Sequence, residues 1–445
     1  MIPTIPSQLL NSLKKNNGFD EMAFLEAHRE ENKVTSIRIN PLKPSKLSWP
    51  LNNSVPWCNN GFYLTQRPSF TYDPLFHSGC YYVQEAGSMF IETALKQTID
   101  FSKSLKILDL CAAPGGKSTL INSLMNQQSL LVANEFVKSR AEVLSYNLSK
   151  WGTNNTLVTN NEPGKFAALE SYFDVILIDA PCSGSGLFRK QPESINEWSE
   201  AAVESCSLRQ KNIIKDILPA LKQNGILIYS TCSYSEQENE ENAKFIVKQF
   251  DLKELKINLP NNSGIIQSTH GYRFYPHLVA SEGFYCAVFV KESSGNSNRL
   301  KKNTHQLSVS KAEEALLIPF VNTQDSVLFR KGNRYYFSNH LVMEFVSTFE
   351  KNFYYKKAGT SIGEIKGKDV VPDHELALSV YLKSIETCEF EIEQALSYLR
   401  KQNLVTININ TGLKLVTYQS HGLGWAKVLS NRINNYLPNE YRILK

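Results

Sequence analysis

The sequence predicts an α/β fold, with a doubly wound and mainly parallel sheet between a small N-terminal α+β unit and a β-rich C-terminal region. Between about residues 96 and 291, short apolar runs alternate with stretches of helical periodicity. Such alternation is typical of parallel strands that helices cover on both faces. The chain also has 445 residues, which is more than one ordinary core accommodates, so we expect two or three domains.

The N-terminal unit, residues 1–95, combines helical and extended patterns. A helical pattern begins at residues 19–21, and residues 36–41 alternate like a strand that a proline ends. In residues 96–291 we predict five strands, each a short and largely apolar run. These strands are expected at residues 105–110, 130–133, 156–158, 175–179 and 226–230, with helices at 118–125, 138–148 and 206–221.

Residues 292–306 are polar, basic and rich in serine and asparagine, a composition that predicts a linker. Residues 307–445 follow, with short strand-like runs and one helical stretch at 391–401. We therefore expect a compact β-rich domain at the C-terminal end. Its predicted strands lie at residues 327–329, 335–337, 405–409 and 413–416.

Composition and charge limit the classes of function. The chain holds 48 lysines and arginines against 43 acidic residues, a net charge of +5 that permits a nucleic-acid partner without requiring one. Basic clusters lie at residues 14–15, 299–302, 330–331, 356–357 and 366–368, mostly in the last third of the sequence. No apolar run approaches the roughly 20 residues of a membrane helix, and the N-terminus lacks the apolar core of a signal peptide. We therefore expect a cytoplasmic protein.

Eight cysteines are scattered without paired spacing, so neither a disulfide framework nor a zinc site is indicated. For most of them we expect burial as small apolar side chains. This group comprises Cys58, Cys80, Cys206, Cys286 and Cys388. Cys182 and Cys232 differ, because they follow the fourth and fifth predicted strands at positions that face a ligand in open α/β sheets. A disulfide between them is the alternative, which a reducing cytosol opposes.

A loop with two glycines follows the first predicted strand and begins a helix, with the sequence LDLCAAPGGKS at residues 108–118. Glycines let the backbone approach a ligand, and the free N–H groups of a helix start attract negative charge. A Walker A loop is one alternative, but its first glycine would fall at Cys111, and the loop has too few glycines to wrap a triphosphate. The loop is therefore more typical of a nucleoside-cofactor site.

Acidic and amide side chains follow the next two predicted strands. Glu135 lies about 20 residues after the loop, where ribose hydroxyls are usually held. The alternative is a solvated acid at a helix start, which the helix dipole also favours. Residues 159–162, with the sequence TNNE, follow the third strand. A polar side chain there is expected to meet the adenine amino group of a nucleoside cofactor.

A thiol beside a methyl donor suits methylation at C5 of cytosine. C5 is a poor nucleophile, but addition of a thiolate to C6 turns it into an enamine-like carbon that attacks a sulfonium methyl group. Asp179, at the end of the fourth strand, is placed to hold or protonate N3. The C5 proton must then leave and the sulfur must be expelled, a step that a second thiol fits. Amino-group methyltransferases need no nucleophile and commonly show an Asn-Pro-Pro-aromatic turn where this chain has DAPC.

Three motifs, in this order, resemble those of the RNA cytosine-C5 methyltransferases of the RsmB/NOP (Nol/Nop/Sun) family. They are CAAPGGKS at residues 111–118, DAPCSGSG at 179–186 and STCSYS at 230–235. Shorter matches lie at residues 36–40, 81–89 and 273–289, so the resemblance covers about residues 30–290. Residues 364–379 and 421–443 resemble the C-terminal extension of the bacterial rRNA branch, which carries a PUA-like RNA-binding domain.

The resemblance implies a Rossmann-like S-adenosylmethionine methyltransferase sheet and assigns roles by motif. Cys232 would be the nucleophile that attacks C6, Cys182 would assist product release, and Asp179 would contact both cytosine and cofactor. Lys117 would line the catalytic pocket. The S-adenosylmethionine site would comprise Cys111, Ala112, Ala113, Pro114, Gly115, Gly116, Lys117, Glu135, Glu162 and Asp179.

The chain departs from the family pattern at a few positions. The family usually has aspartate where this chain has Glu162, which weakens the assignment of that residue to adenine. Ser281 replaces a usual glycine, and a proline or serine is common in the family at Ala86-Gly87. None of these departures touches the thiol chemistry.

From the resemblance we expect a monomeric enzyme that methylates RNA, above all small-subunit ribosomal RNA, with transfer RNA as the second candidate. The rival is an RNA-binding or ribosome-assembly factor on a degenerate methyltransferase fold. Two thiols and an intact cofactor loop argue against that rival, because a binding protein has no need of them. The expected division is an N-terminal RNA-binding or support domain (1–95), a catalytic domain (96–291), a linker (292–306) and a PUA-like RNA-binding region (307–445).

Overall fold

Residues 4–29, 33–292, 307–404 and 410–444 are described by the structure, which is a computed structural model of the chain. The predicted strand at 405–409 lies outside these residues, as do the basic cluster at 299–302 and all of the predicted linker except Glu292. Within the described residues, no helix is both long enough and apolar enough to cross a membrane.

The N-terminal unit is a small antiparallel sheet with helices before and after it. Its helices are α1 (Ser7–Leu13), α2 (Glu21–Ala27), α3 (Pro74–His77) and α4 (Ile91–Thr98), and its strands are β1 (Thr35–Ile39), β2 (Asn53–Ser54), β3 (Gly61–Leu64) and β4 (Tyr81–Val83). The strands lie in the order β2-β3-β1-β4. Helix α2 begins after Asp20, as predicted, because the Asp20 carboxylate accepts a hydrogen bond from the Ala23 N–H at 2.8 Å and caps the helix.

The central unit alternates strands and helices. Its strands are β5 (Lys106–Asp109), β6 (Leu130–Asn134), β7 (Thr156–Thr159), β8 (Phe173–Asp179), β9 (Leu221–Thr231), β10 (Leu252–Glu254), β11 (Ile266–Gln267), β12 (Tyr272–Phe274) and β13 (Phe284–Lys291), and its helices are α5 (Gly116–Leu124), α6 (Lys138–Trp151), α7 (Glu200–Ile217) and α8 (Glu240–Gln249). Strands β9-β8-β5-β6-β7 lie parallel in this spatial order. These five strands are the five predicted from the apolar runs, so the Rossmann-like sheet is confirmed.

Helix α7 begins and ends earlier than predicted. The Ser199 side chain accepts a hydrogen bond from the Ala202 N–H at 3.1 Å and caps the helix ahead of its apolar stripe. Pro219 follows the last helical turn, and a proline cannot continue a helix. The chain therefore enters β9 at Leu221, where the helix was expected to end.

The C-terminal region contains two further four-stranded sheets. Its helices are α9 (Lys311–Leu317), α10 (His340–Phe349), α11 (His374–Ala377) and α12 (Ile392–Leu399), and its strands are β14 (Val327–Lys331), β15 (Arg334–Ser338), β16 (Tyr355–Ala358), β17 (Thr360–Lys366), β18 (Asp369–Pro372), β19 (Thr387–Glu389), β20 (Gly412–Tyr418), β21 (His421–Val428) and β22 (Ile433–Asn435). One sheet has the order β14-β15-β17-β18 and the other β19-β20-β21-β22. We name residues 307–385 the middle unit and residues 386–444 the terminal unit.

Antiparallel strands extend the central sheet at both edges. Strand β13 pairs with β9, and β12 and β10 pair with the first and last residues of β13. At the opposite edge, β16 of the middle unit pairs with β7. These additions were not predicted from the sequence. The middle unit is therefore joined to the central sheet through backbone hydrogen bonds.

Aromatic side chains of the middle unit also enter the core of the central sheet. Phe353 packs on Phe166 with ring centroids 4.8 Å apart, and Phe345 packs on Tyr172 at 5.7 Å. Burial of each such ring contributes roughly 1.5–3 kcal/mol. The middle unit thus completes one face of the sheet.

The N-terminal unit covers the opposite face, with Trp57, Met89 and Phe90 in the same apolar cluster as strands β5, β6 and β8. The terminal unit differs from both neighbours, because most of its buried side chains form a cluster of their own around α12. It contacts the middle unit through Trp425, whose indole N–H donates a hydrogen bond to the Asp373 carbonyl at 2.9 Å.

Candidate active site

The loops that follow β5, β8 and β9 meet at one edge of the sheet, because these strands are parallel neighbours. They surround a cavity of about 520 Å³. Six residues of the predicted cofactor loop line the cavity, together with Asp179 and Cys232: Cys111, Ala112, Ala113, Pro114, Gly116 and Lys117. Of the other nominated residues, Cys182, Gly115, Glu135 and Glu162 do not line it.

The two cysteines of the strand ends lie in contact. Their Sγ atoms are 3.1 Å apart, and both thiols are free. This separation exceeds the 2.03–2.05 Å of a disulfide bond by about 1 Å, so the predicted free thiols are present and the disulfide alternative is not. The hydrogen bond to Cys232, together with burial, raises the pKa of Cys182 well above its usual value. Cys182 therefore keeps its proton beside the Cys232 sulfur.

Asp179 forms an ion pair with Lys117 at the wall of the cavity. Lys117 Nζ lies 2.7 Å from Asp179 Oδ2, and the Ser230 hydroxyl donates to Asp179 Oδ1 at 2.8 Å. Burial by itself lowers the pKa of Lys117, but the adjacent carboxylate outweighs it, and the pKa lies above its usual value. The cavity thus holds a fixed charge pair next to a thiol.

Two features fix the cofactor loop: the backbone conformation of one glycine and hydrogen bonds from helix α6. Gly115 has φ of 112°, in the left-handed region that favours glycine. On helix α6, Arg140 and Asn147 each donate a hydrogen bond at 2.8 Å, to the carbonyls of Ala113 and Pro114. Burial raises the pKa of Cys111, so its thiol stays neutral.

An arginine of the N-terminal unit fixes the start of helix α5. Arg38 is only 1% exposed and donates to the Gly116 carbonyl at 3.2 Å and to the Thr119 hydroxyl at 2.5 Å. Its guanidinium also lies 4.6 Å from the ring centroid of Trp151. The N-terminal unit therefore supports the loop that lines the cavity.

Asp109, which was not predicted as a site residue, ends β5 and lines the cavity. Asp109 Oδ2 accepts a hydrogen bond from the Ser118 hydroxyl at 2.6 Å. Asp109 Oδ1 is buried and has no hydrogen-bond partner among the described residues. Burial raises the pKa of Asp109 to about 7. Its place at the end of a strand, directly before the glycine loop, is a signal that could have identified it.

Glu135 and Glu162 occupy different environments. Glu135 is 4% exposed at the end of β6, where its Oε1 accepts the Val137 N–H at 2.9 Å and its Oε2 lies 3.6 Å from Arg140 Nη1. Glu162 is exposed, one residue before a short 3₁₀ turn. The roles of both residues stay predictions, and the exposed position of Glu162 does not add support to a contact with adenine.

A second wall of the cavity comes from the N-terminal unit and was also missed. Tyr82, Gln84 and Glu85 line it, next to Phe284 at the start of β13. The Glu85 carboxylate accepts backbone N–H groups of Gly87 and Ser88, each at 2.7 Å. Residues 81–89 and 273–289 resemble the family in sequence, but no local pattern indicated that the two segments form a wall of the cavity, since they meet only in the tertiary fold. Among the described residues, no group of three histidine, cysteine or acidic side chains is arranged to hold a metal ion.

Models of three protein domains match the chain. The model of the 16S rRNA methyltransferase RsmB/F matches residues 96–290. The N-terminal domain of 16S rRNA methyltransferase RsmF matches residues 5–86, and the methyltransferase RsmF PUA domain matches residues 386–443. The PUA match covers the terminal unit and does not include the middle unit.

Two solved structures from Pyrococcus horikoshii resemble about two thirds of the chain. A methyltransferase homolog protein is 28% identical, with a TM-score of 0.55, and the match covers 65% of this chain and 96% of that protein. The structure of NSun6 with SFG has a TM-score of 0.55 at 20% identity, covers 66% of this chain and 100% of that one, and supports the same fold.

Curated relatives match over nearly the whole length. The ribosomal RNA small subunit methyltransferase F of Aeromonas salmonicida (strain A449) is 31% identical over 435 residues, covering 91% of this chain and 90% of the relative. The protein of the same name from Aliivibrio fischeri (strain MJ11) is 31% identical over 432 residues, with the same coverage. The chain belongs to the RsmB/F family of S-adenosylmethionine-dependent ribosomal RNA methyltransferases.

Proposed function

We propose that this chain methylates C5 of a cytosine in small-subunit ribosomal RNA through a covalent bond between Cys232 and C6. The observation that carries the proposal is the contact of the Cys232 and Cys182 sulfur atoms, 3.1 Å apart, beside the Lys117–Asp179 ion pair. A methyltransferase that acts on an amino group has no use for such a pair of thiols. The names of the relatives support small-subunit ribosomal RNA as the substrate.

The residues of the cavity fit the methyl donor. When bound, S-adenosylmethionine supplies an electrophilic methyl group and carries positive charge on its sulfonium and ammonium groups. The unpartnered Asp109 Oδ1 is suited to a cationic group, because an ionised carboxylate forms strong hydrogen bonds with such a donor. Six residues of the loop at 111–117, all except Gly115, line the same cavity. We assign Glu135 to the ribose hydroxyls, and Glu162 stays a weaker candidate for adenine.

The chemistry of this chain begins with the Cys232 thiolate. Its sulfur adds to C6 and moves negative charge towards N3 of the ring. Lys117 offsets this charge and supplies a proton that Asp179 relays to N3. Once C5 carries the methyl group, a solvent base takes its proton, the C5–C6 double bond re-forms, N3 returns its proton to Lys117 through Asp179, and Cys232 departs as a thiolate. Cys182, in contact with Cys232, is assigned to this release.

We also propose that the terminal unit holds the RNA, since it matches a PUA domain. Truncation of the chain tests this role. The middle unit must be kept in the truncated chain, because its α10 and β16 complete the catalytic core. A cut near Asn298 would therefore remove part of that core, whereas a cut after residue 385 keeps α10 and β16 in place. The chain is proposed to act as a monomer in the cytoplasm, where ribosomal subunits assemble.

Transfer of a labelled methyl group from S-adenosylmethionine to purified small-subunit RNA tests the proposal. The expected product is 5-methylcytosine at one position, with no product from the Cys232→Ala chain. Transfer RNA serves as the competing substrate, and the assembled small subunit serves as a second form of the same RNA. RNA binding without any methyl transfer would support the rival function of a binding protein.

A further inference from the structure

We propose that Glu238 is a positioning residue whose carboxylate ties the turn of Cys182 to the turn of Cys232 and holds the two sulfur atoms in contact. Glu238 lies between β9 and α8 and is fully buried. Its effect on catalysis rests on the proposed function, whereas the tie itself is a property of the free chain. The two statements are therefore tested separately.

The Glu238 carboxylate accepts four hydrogen bonds, and three come from the residues that directly follow the two cysteines. Ser183 donates its N–H to Oε1 at 2.8 Å and its hydroxyl to Oε2 at 2.6 Å. The Ser233 hydroxyl also donates to Oε2. The fourth bond comes from the Gln210 amide on α7, at 3.1 Å from Oε1. One side chain thus spans both turns immediately beside the thiols.

Neutral donors alone compensate this buried charge, because no lysine or arginine pairs with Glu238 among the described residues. A buried carboxylate is costly unless its hydrogen bonds are all kept, so the four donors cannot move apart freely. The arrangement therefore restrains Ser183 and Ser233, and with them the cysteines that precede them.

Other bonds join the same two turns further along the chain. The Gly186 N–H donates to the Cys232 carbonyl at 2.7 Å, and the Tyr234 N–H donates to the Ser185 hydroxyl at 2.9 Å. These bonds do not involve Glu238, so the turns keep their backbone course when Glu238 is changed. Removal of the carboxylate is expected to loosen the sulfur atoms rather than to unfold the site.

Disulfide formation measures the contact directly, without RNA or cofactor. Diamide oxidises the two thiols to a disulfide and takes up two electrons and two protons in its N=N bond. The full-length chain is treated with diamide, quenched at intervals and digested, and the Cys182–Cys232 peptide pair is quantified by mass spectrometry. Alkylation of each cysteine with iodoacetamide, measured in parallel, corrects for changes in thiol reactivity.

We expect Glu238→Ala to slow the corrected rate of disulfide formation by about tenfold, because the thiols lose their mutual orientation. Glu238→Gln keeps the shape of the side chain and is expected to restore most of the rate. Ser207→Ala is the matched control: Ser207 is a buried serine that bonds the Gln237 carbonyl and the Asn242 side chain and does not touch Glu238. Its rate should equal that of the unmodified chain.

Wild-type rates in Glu238→Ala would overturn the proposal, as would equal slowing in Glu238→Ala, Glu238→Gln and Ser207→Ala. If Glu238→Ala fails to fold, Ser183→Ala provides the second variant, since it removes one hydroxyl bond to the carboxylate without removing the carboxylate. A wild-type rate in Ser183→Ala would then reject the tie.

Methyl transfer in the same variants separates the tie from the proposed function. In Glu238→Ala we expect kcat to fall while KM for S-adenosylmethionine stays unchanged, and covalent protein–RNA complex to accumulate. If Glu238→Ala slows disulfide formation but even the unmodified chain transfers no methyl group, the tie is retained and the proposed function is rejected. Normal transfer and release in a variant with slow disulfide formation would reject the positioning role instead.

Discussion

The two sides of the cavity differ in how far a buried acidic side chain on each side is paired within the protein. On the thiol side, formed by the turns after β8 and β9, Cys182 contacts Cys232, and Glu238 accepts four hydrogen bonds. On the cofactor side, formed by β5 and the loop after it, Asp109 Oδ1 has no partner among the described residues. The Glu238 carboxylate is thus fully paired within the protein, whereas the Asp109 carboxylate keeps one unpaired acceptor oxygen for a cation.

The largest effect is expected on the thiol side. Cys232→Ala removes the nucleophile, and methyl transfer should fall by about 10³-fold or more. No covalent protein–RNA complex should form, because no sulfur remains to add to C6. Labelled methyl transfer and denaturing gel electrophoresis check both outcomes. Residual transfer within tenfold of the unmodified chain would remove Cys232 from the mechanism.

Cys182→Ala is expected to leave the first bond formation possible and to impair release. A covalent complex with RNA that survives denaturation should accumulate, while turnover falls. The same gel assay measures the trapped fraction, with Cys206→Ala as a control at a cysteine outside the cavity. Trapping by Cys232→Ala instead of Cys182→Ala would reverse the two roles.

Asp109→Asn tests the cofactor side. Loss of a charge-assisted hydrogen bond should weaken S-adenosylmethionine binding by about 1.5–3 kcal/mol, measured by calorimetry. The pKa of Asp109 is about 7, and the ionised form is the acceptor, so affinity should fall as the pH drops below about 7. Asp109→Asn should abolish this dependence. Equal pH profiles for the two chains would show that Asp109 does not face the positive charge.

Titration of Asp109 is also expected to change the stability of the cofactor-free chain with pH. Folding raises the pKa of Asp109 from 3.8 to about 7, so the folded state binds the proton more tightly than the unfolded state. The resulting stabilisation is complete at pH values below about 4 and is lost as the pH rises through about 7. Asp109→Asn should remove this contribution, which denaturant unfolding at several pH values measures.

Glu135 and Glu162 provide a smaller test within the cofactor side. Glu135→Ala should weaken cofactor binding by about 1–3 kcal/mol, because a ribose hydroxyl would lose its acceptor. Glu162→Ala should change it by less than about 0.5 kcal/mol, as is usual for exposed residues. RNA affinity should not change in either variant. An equal loss in both variants would bring Glu162 into the cofactor site.

Removal of the terminal unit is expected to have the smallest effect on the cavity itself. A chain that ends at residue 385 should bind S-adenosylmethionine with unchanged affinity, since residues 386–444 do not line the cavity. RNA binding should weaken, and its dependence on salt should flatten, because phosphate contacts are lost. A lower melting temperature with unchanged RNA affinity and salt dependence would make the terminal unit a structural brace.

The parts of the molecule that could be predicted are those that local sequence determines. The five parallel strands are apolar runs, and Cys182 and Cys232 follow neighbouring runs, so their proximity follows from the order of the sheet. Strand β16 could not be predicted, because its pairing with β7 joins segments far apart in sequence. Glu238 follows the STCSYS motif and belongs to the resemblance, but only the folded turns reveal that it binds both Ser183 and Ser233. The exposed position of Glu162 likewise depends on how the chain turns after β7.

The pairing of β16 with β7 has a consequence for synthesis of the chain. A nascent chain emerges from the ribosome with its N-terminus first, so all motifs of the cavity are available before residues 355–358 appear. Until then, the outer edge of β7 is unpaired and the apolar surface under Phe345 and Phe353 is uncovered. Open sheet edges invite association with other chains. The time between the synthesis of the cavity motifs and the appearance of residues 355–358 is therefore the period in which a nascent chain most needs protection by a chaperone.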